Sequence, residues 1–216
     1  MNLKSFGCSF IYGTDLHDTD SGNSDQFSHF TWPALCAEYL NYDYHCYAYP
    51  GSGNLQILDT LLNVLPDAMP AVYIIGWTWI DRFDYIDSAS DRQNWKTILP
   101  GDCSTVNENY YKNLHNQYSD KLTTLICIKT AIDVLQQYQV PFIMTYIDEL
   151  LFETHWHISP GITALQNYIR PHMTRFNGKD FLTWSRENGH TISKTMHPME
   201  SAHNSAADYI IAQGLL

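Results

Sequence analysis

The chain has 216 residues, 44% of them hydrophobic and 16% charged, with a formal net charge of −11 at pH 7. That length suffices for one well-buried domain and is short for two, so residues 1–216 are expected to form a single domain. Acidic residues are scattered and Lys and Arg nowhere cluster, and no apolar run reaches the length of a membrane span, which argues against nucleic acid and membrane as partners.

The first predicted element is a strand over residues 2–6, which ends abruptly at Gly7-Cys8-Ser9. Gly7 permits a sharp turn. Ser9 then stands just past a strand end, where a hydroxyl is exposed rather than packed. Such a serine becomes a nucleophile if a base and a set of oxyanion donors are supplied elsewhere. A polar loop over residues 13–28 follows and is expected to border a site. Thr31 caps a helix that has Pro33 in its first turn and closes by residues 41–43.

A second strand is expected over residues 45–48, running into Tyr49-Pro50-Gly51-Ser52-Gly53-Asn54. The leucines of residues 54–65 fall on one helical face. Residues 71–76, AVYIIG, are a continuous apolar run of the kind found in a central strand buried on both faces, and Trp77-Thr78-Trp79 stands at its end. Residues 81–106 are polar, with little periodicity. A long helix is expected over residues 107–139, with a break near Ser119, then a buried strand over residues 140–147 ending at Asp148-Glu149. Shorter helical pieces fall over 162–168 and 180–187, and a last helix runs from Pro198 to about 213.

Strands alternating with helices predict an α/β fold, with a mostly parallel sheet and helices on both faces. Ligands of such sheets sit beyond the carboxyl ends of the strands. Those ends carry three glycine-bearing turns, at Gly7, Gly51 and Gly76, which converge on one mouth. Met196-His197-Pro198 opens the last helix, and Glu200-Ser201-Ala202-His203 follows one turn later; either histidine is a candidate base.

These blocks, in this order, resemble the SGNH (GDSL-type) hydrolases. Gly7-Cys8-Ser9 stands where that family has its serine block, Gly51 at its glycine, Gly76-Trp77-Thr78-Trp79 at its GxND block, and His197-Pro198 at its terminal histidine. The resemblance is also to a divergent branch frequent among tailed-phage proteins. It implies a flavodoxin-like three-layer sandwich and a serine esterase working through an acyl-enzyme, with a carbohydrate O-acetyl group as the preferred substrate and no cofactor. The aromatic residues Trp77, Trp79 and Trp156 are expected near the mouth. The alternative is a catalytically impaired binding or structural protein with the same fold, possibly virion-associated.

By position, the resemblance makes Ser9 the nucleophile and His197 the base. The backbone N–H groups of Ser9 and Gly51 face the oxyanion with Thr78, and Asn54 caps its helix and holds the Gly51 turn. Three departures stand out, the mildest being Cys8 in place of the serine block's Asp, which is not the family's catalytic acid. Thr78 replaces the family's Asn, and Lys194 occupies the place, three before the histidine, where the family has its Asp. A Ser–His dyad, or Asp148, Glu149 or Glu200 as a substitute acid, is then expected, with Glu200 and His203 as an alternative pair. His155, His157 and His172 read as loop residues rather than metal ligands. Five cysteines without a CxxC read as reduced thiols. The N-terminus lacks a basic-then-apolar leader, which gives the expectation of a cytoplasmic or virion-associated protein.

Overall fold

The structure is a computed structural model that describes residues 1–19, 26–65, 70–87 and 94–216. The middle of the predicted polar loop, residues 20–25, and residues 88–93 of the polar segment lie outside the described residues.

Four parallel strands form the central sheet: β1 (Asn2–Gly7), β2 (Asp43–Cys46), β3 (Ala71–Trp77) and β6 (Phe142–Tyr146), in the order β2-β1-β3-β6. β1 is thus the strand from which the chain winds first to one side and then to the other. The crevice at its carboxyl end is the topological switch point where ligands of such sheets bind. Beyond β6 the sheet is extended by a single bridge, Met144 to Met173.

Alternation along the strands divides the core in two. Phe6, Tyr73, Ile75, Trp77, Met144 and Tyr146 face one way. They pack against α3 (Asn54–Val64), α5 (Gln117–Gln137) and α6 (Pro160–Ile169) through Leu61, Leu125, Ile128 and Ile162. Leu3, Ile74 and Ile143 face the other way, against α2 (Trp32–Leu40), α7 (Phe181–Glu187) and α8 (Glu200–Ala212) through Trp32, Phe181, Ala206 and Ile210. The result is the expected three-layer α/β sandwich. All seven residues of β3 are buried, as the unbroken apolar run required.

Several boundaries differ from the sequence reading. β2 starts two residues earlier, because pairing of Asn2 with Asp43 and Ser5 with Cys46 sets its register. The long helix is two, α4 (Thr105–Asn113) and α5, the second capped by the Asn116 side chain. α8 begins at Glu200, after an isolated bridge between Ile192 and Pro198.

The polar segment contains an unforeseen hairpin, β4 (Phe83–Ile86) with β5 (Trp95–Ile98). Asp84 seats it on the amino end of α3: its carboxylate accepts the N–H groups of Gly53 and Gln56, both at 2.9 Å, and the Thr97 hydroxyl at 2.6 Å. A carboxylate there satisfies donors that the helix itself cannot and lies at the positive end of its dipole. Gly53 leaves room for it, since a Cβ would fall 2.5 Å from both Asp84 oxygens.

Candidate active site

β1 delivers Ser9 to the switch point. Gly7 and Gly76 are partners in the β1–β3 register. A Cβ on either would meet the Ile11 side chain at 2.5–2.6 Å. The two glycines therefore form a notch that takes Ile11, and the short helix α1 (Ser9–Tyr12) sits directly on the strand ends. Gly7 serves by lacking a side chain rather than by an unusual backbone conformation.

Ser9 is the first residue of α1, after Cys8, and its Oγ lies 2.8 Å from Nε2 of His197. Both residues are largely buried. On its other side the His197 ring meets Asp15, with Nδ1 2.7 Å from Oδ2. A hydroxyl joined to an imidazole that faces a carboxylate is what general-base activation of a serine requires: the carboxylate fixes which ring nitrogen carries the proton and leaves the other free to accept one.

Asp15 was not foreseen. It stands in the polar loop rather than beside His197, and two backbone features bring it there. Gly13 ends α1 in the left-handed region, at φ 86°, and Asp15 is itself left-handed at φ 72°. Partial burial pushes the Asp15 carboxyl up, but hydrogen bonds from Thr195, His197 and Ser193, with the charge of His197, together hold it below the usual carboxylate value. Lys194, in the family's acid position, lies exposed.

The other proposed acids are occupied elsewhere. Asp148 accepts the N–H groups of Ile80 and Leu150, and Glu149 accepts that of Asp180. Glu200 accepts the His17 N–H at 2.7 Å, so it anchors the loop that carries Asp15 rather than serving an imidazole. His203 is buried, and its Nδ1 accepts the Trp32 N–H at 3.1 Å. Burial, and secondarily the charge of His197, push it down to about 3. It is a neutral core histidine, and Glu200 and His203 do not form a pair.

Gly51 lies in the β2–α3 turn at φ 85°, with open space where a Cβ would stand. Tyr49 donates to the Gly7 carbonyl at 3.0 Å, which binds this turn to the end of β1. Neither the Ser9 nor the Gly51 N–H has an acceptor among the described residues. Thr78, at the end of β3, is buried, and its hydroxyl lacks a partner among the described residues.

Asn54 does not cap α3; it is the first helical residue, and its side chain reaches across to β3. Its Oδ1 accepts the Thr78 N–H at 2.9 Å, and its Nδ2 donates to the carbonyls of Thr78 and Trp79 and to the Thr124 hydroxyl. It fixes the turn that carries Thr78.

Trp77 is a core residue, 1% exposed, and not part of the mouth as expected. Trp79 does border it: Phe10 stands edge-on between the Trp79 and His197 rings, with centroids 5.4 and 5.1 Å away. A cavity of about 470 Å³ opens beside Trp79 at the ends of β3 and β6, with Tyr111, Trp156, Asp81 and Asp120 in its walls. His155 and His157 are engaged separately, the first through its N–H with Glu153 and the second with Gln117. No cluster of three metal-binding side chains occurs among the described residues. No helix of the described residues is long and apolar enough to cross a membrane.

No protein-family model matches the chain, and no curated protein matches it by sequence. Solved structures match its fold. A member of the lipolytic protein G-D-S-L family from Veillonella parvula aligns over 98% of this chain and 97% of its own, at 15% identity and a TM-score of 0.53. The psychrotrophic esterase EstA from a Pseudoalteromonas species aligns over 98% and 94%, at 10% identity and 0.53. The acetyl xylan esterase Est2A of the rumen bacterium Butyrivibrio proteoclasticus covers all of this chain and 64% of its own, at 15% and 0.54. The chain therefore has the fold of the G-D-S-L lipolytic proteins and of these esterases.

Proposed function

We propose that this protein is a serine ester hydrolase in which Ser9 is the nucleophile, His197 the general base and Asp15 the acid that orients it. The observation that carries the reading is the unbroken chain of contacts from Ser9 Oγ through His197 to Asp15, at 2.8 and 2.7 Å. His197 takes the Ser9 proton on Nε2 as Oγ attacks the ester carbonyl. The resulting oxyanion is met by the N–H groups of Ser9 and Gly51 and by the Thr78 hydroxyl. Collapse of the intermediate expels the alcohol, which leaves with the proton from Nε2. Water then enters by the same route and releases the acid from Ser9.

A small acyl group on a carbohydrate is the substrate this site suits best. The cavity beside Trp79 offers the aromatic faces of Trp79, Tyr111 and Trp156 for a sugar ring; Ser9 and His197 are not in its walls, so on this reading the sugar rests there and its acyl group reaches past Trp79 to Ser9. The acetyl xylan esterase of similar fold supports the same class. The test is release of acetate from acetylated xylo-oligosaccharides and from p-nitrophenyl acetate. The reading expects both to be hydrolysed, with both activities abolished in Ser9→Ala. A folded wild-type protein inert toward every ester offered would overturn it.

A further inference from the structure

We infer that Ser193 and Thr195 are positioning residues: a two-hydroxyl clamp that holds the distant Asp15 carboxylate against His197, in place of an acid built into the histidine's own turn. The inference rests on the proposed hydrolase reading for its kinetic consequence, and on geometry alone for its structural one.

Residues 193–197 form a closed turn. Ser193 donates its N–H to the His197 carbonyl at 2.8 Å, and Met196 is left-handed at φ 76°. Inside the turn, Ser193 Oγ accepts two backbone N–H groups, those of Thr195 at 3.2 Å and His197 at 3.1 Å. A hydroxyl has two acceptor sites and one donor. With both acceptor sites taken, the Ser193 hydrogen is left to donate, and its target is Asp15 Oδ2 at 2.7 Å. The backbone of the turn thus leaves this hydroxyl to donate, and of the two acceptors in reach the Asp15 carboxylate is nearer than Thr195 Oγ1, at 3.0 Å, and carries the charge.

Thr195 completes the clamp. Its Oγ1 contacts the same Asp15 oxygen and also lies 3.0 Å from His197 Nδ1. The consistent assignment is that the Thr195 hydroxyl donates to Asp15, while the Nδ1 hydrogen is directed at Asp15 Oδ2 with Thr195 Oγ1 as a secondary acceptor. One carboxylate oxygen therefore gathers three donors, two of them from residues flanking the exposed Lys194. An acid on a separate loop has no covalent tie to the histidine, and charge-assisted bonds of this kind supply the missing restraint.

The test uses Ser193→Ala, Thr195→Val and their combination, with Thr195→Ser and Lys194→Ala as controls. Two quantities are read: kcat and KM on p-nitrophenyl acetate, and the low-field proton resonance of the His197 Nδ1–H. The combined variant is expected to lose at least tenfold in kcat with KM within twofold, and its Nδ1 proton is expected to shift or exchange away. Thr195→Ser restores the hydroxyl and should restore both readouts; Lys194→Ala should change neither. If the combined variant does not fold, the single variants, and rescue of Thr195→Val by Thr195→Ser, decide the matter in the same way. Full kcat and an unmoved proton resonance in folded Ser193→Ala and Thr195→Val would overturn the clamp. A wild type that hydrolyses no ester would defeat the hydrolase reading instead, and the resonance would still decide the geometry.

Discussion

Ser9 and His197 are 188 positions apart in sequence and 2.8 Å apart in space, and Asp15 completes the set from a loop six residues after the serine. On the proposed mechanism Asp15→Asn leaves the fold intact but disorders the imidazole and its tautomer. Esterase kcat should fall roughly 10²–10⁴-fold with KM little changed, measured on p-nitrophenyl acetate. Thr78→Val removes a buried hydroxyl proposed to meet the oxyanion, and the expected loss is about 10²-fold in kcat. In the sequence Ser9 stands out at a strand end, and His197 and His203 at the approach to a helix and within it; it is the resemblance to the SGNH hydrolases, not periodicity, that chooses His197, and the structure places its ring against Ser9. Asp15 does not stand out. Its arrival depends on two left-handed residues, Gly13 and Asp15, in a polar loop without periodicity, and on a contact across 182 residues. The same holds for Ser193 and Thr195, whose part is set by the closure of their own turn.

At the scale of elements, the site is held by features that fit strand ends to helices. The Gly7–Gly76 notch admits Ile11 and so places α1 on the sheet. Gly76→Ala has no room, with its Cβ 2.5 Å from Ile11, and should cost about 1–3 kcal/mol in urea unfolding while tilting α1 and lowering activity with it. Asp84→Ala takes a carboxylate from the amino end of α3 and unseats the hairpin, at a cost of about 1–2 kcal/mol by the same measurement. β3 and β6 are legible as unbroken apolar runs and α3 by its stripe of leucines, whereas β2, with no apolar run, reads two residues late and α4 and α5 read as one helix. The hairpin is not legible, since two four-residue strands within a polar segment give alternation too short to stand out, and their reason for pairing, Asp84 on α3, is a tertiary one.

For the molecule as a whole, the buried His203 gives folding a defined pH dependence. Its folded pKa of about 3 lies below the ordinary value of 6.5, so the unfolded chain binds the extra proton between these values. Stability from this group is therefore complete above pH 6.5 and is lost as the pH falls toward 3. Asp15, also held below its ordinary value, acts in the same direction at lower pH. Denaturant unfolding should show a loss of roughly 2 kcal/mol between pH 6.5 and 4.5 from His203. His203→Asn, which keeps an acceptor for the Trp32 N–H but does not titrate, should flatten that slope.

The central claim is that Ser9 is activated by His197 under the direction of Asp15. Labelling with a fluorophosphonate probe, followed as a rate and located by mass spectrometry, tests it most directly. The account predicts rapid labelling of the wild type at Ser9, none in Ser9→Ala, a rate reduced by orders of magnitude in His197→Ala and Asp15→Asn, and a rate close to wild type in folded His203→Asn and Lys194→Ala. Labelling that survives His197→Ala undiminished, or a folded wild type that takes up no probe, would contradict it.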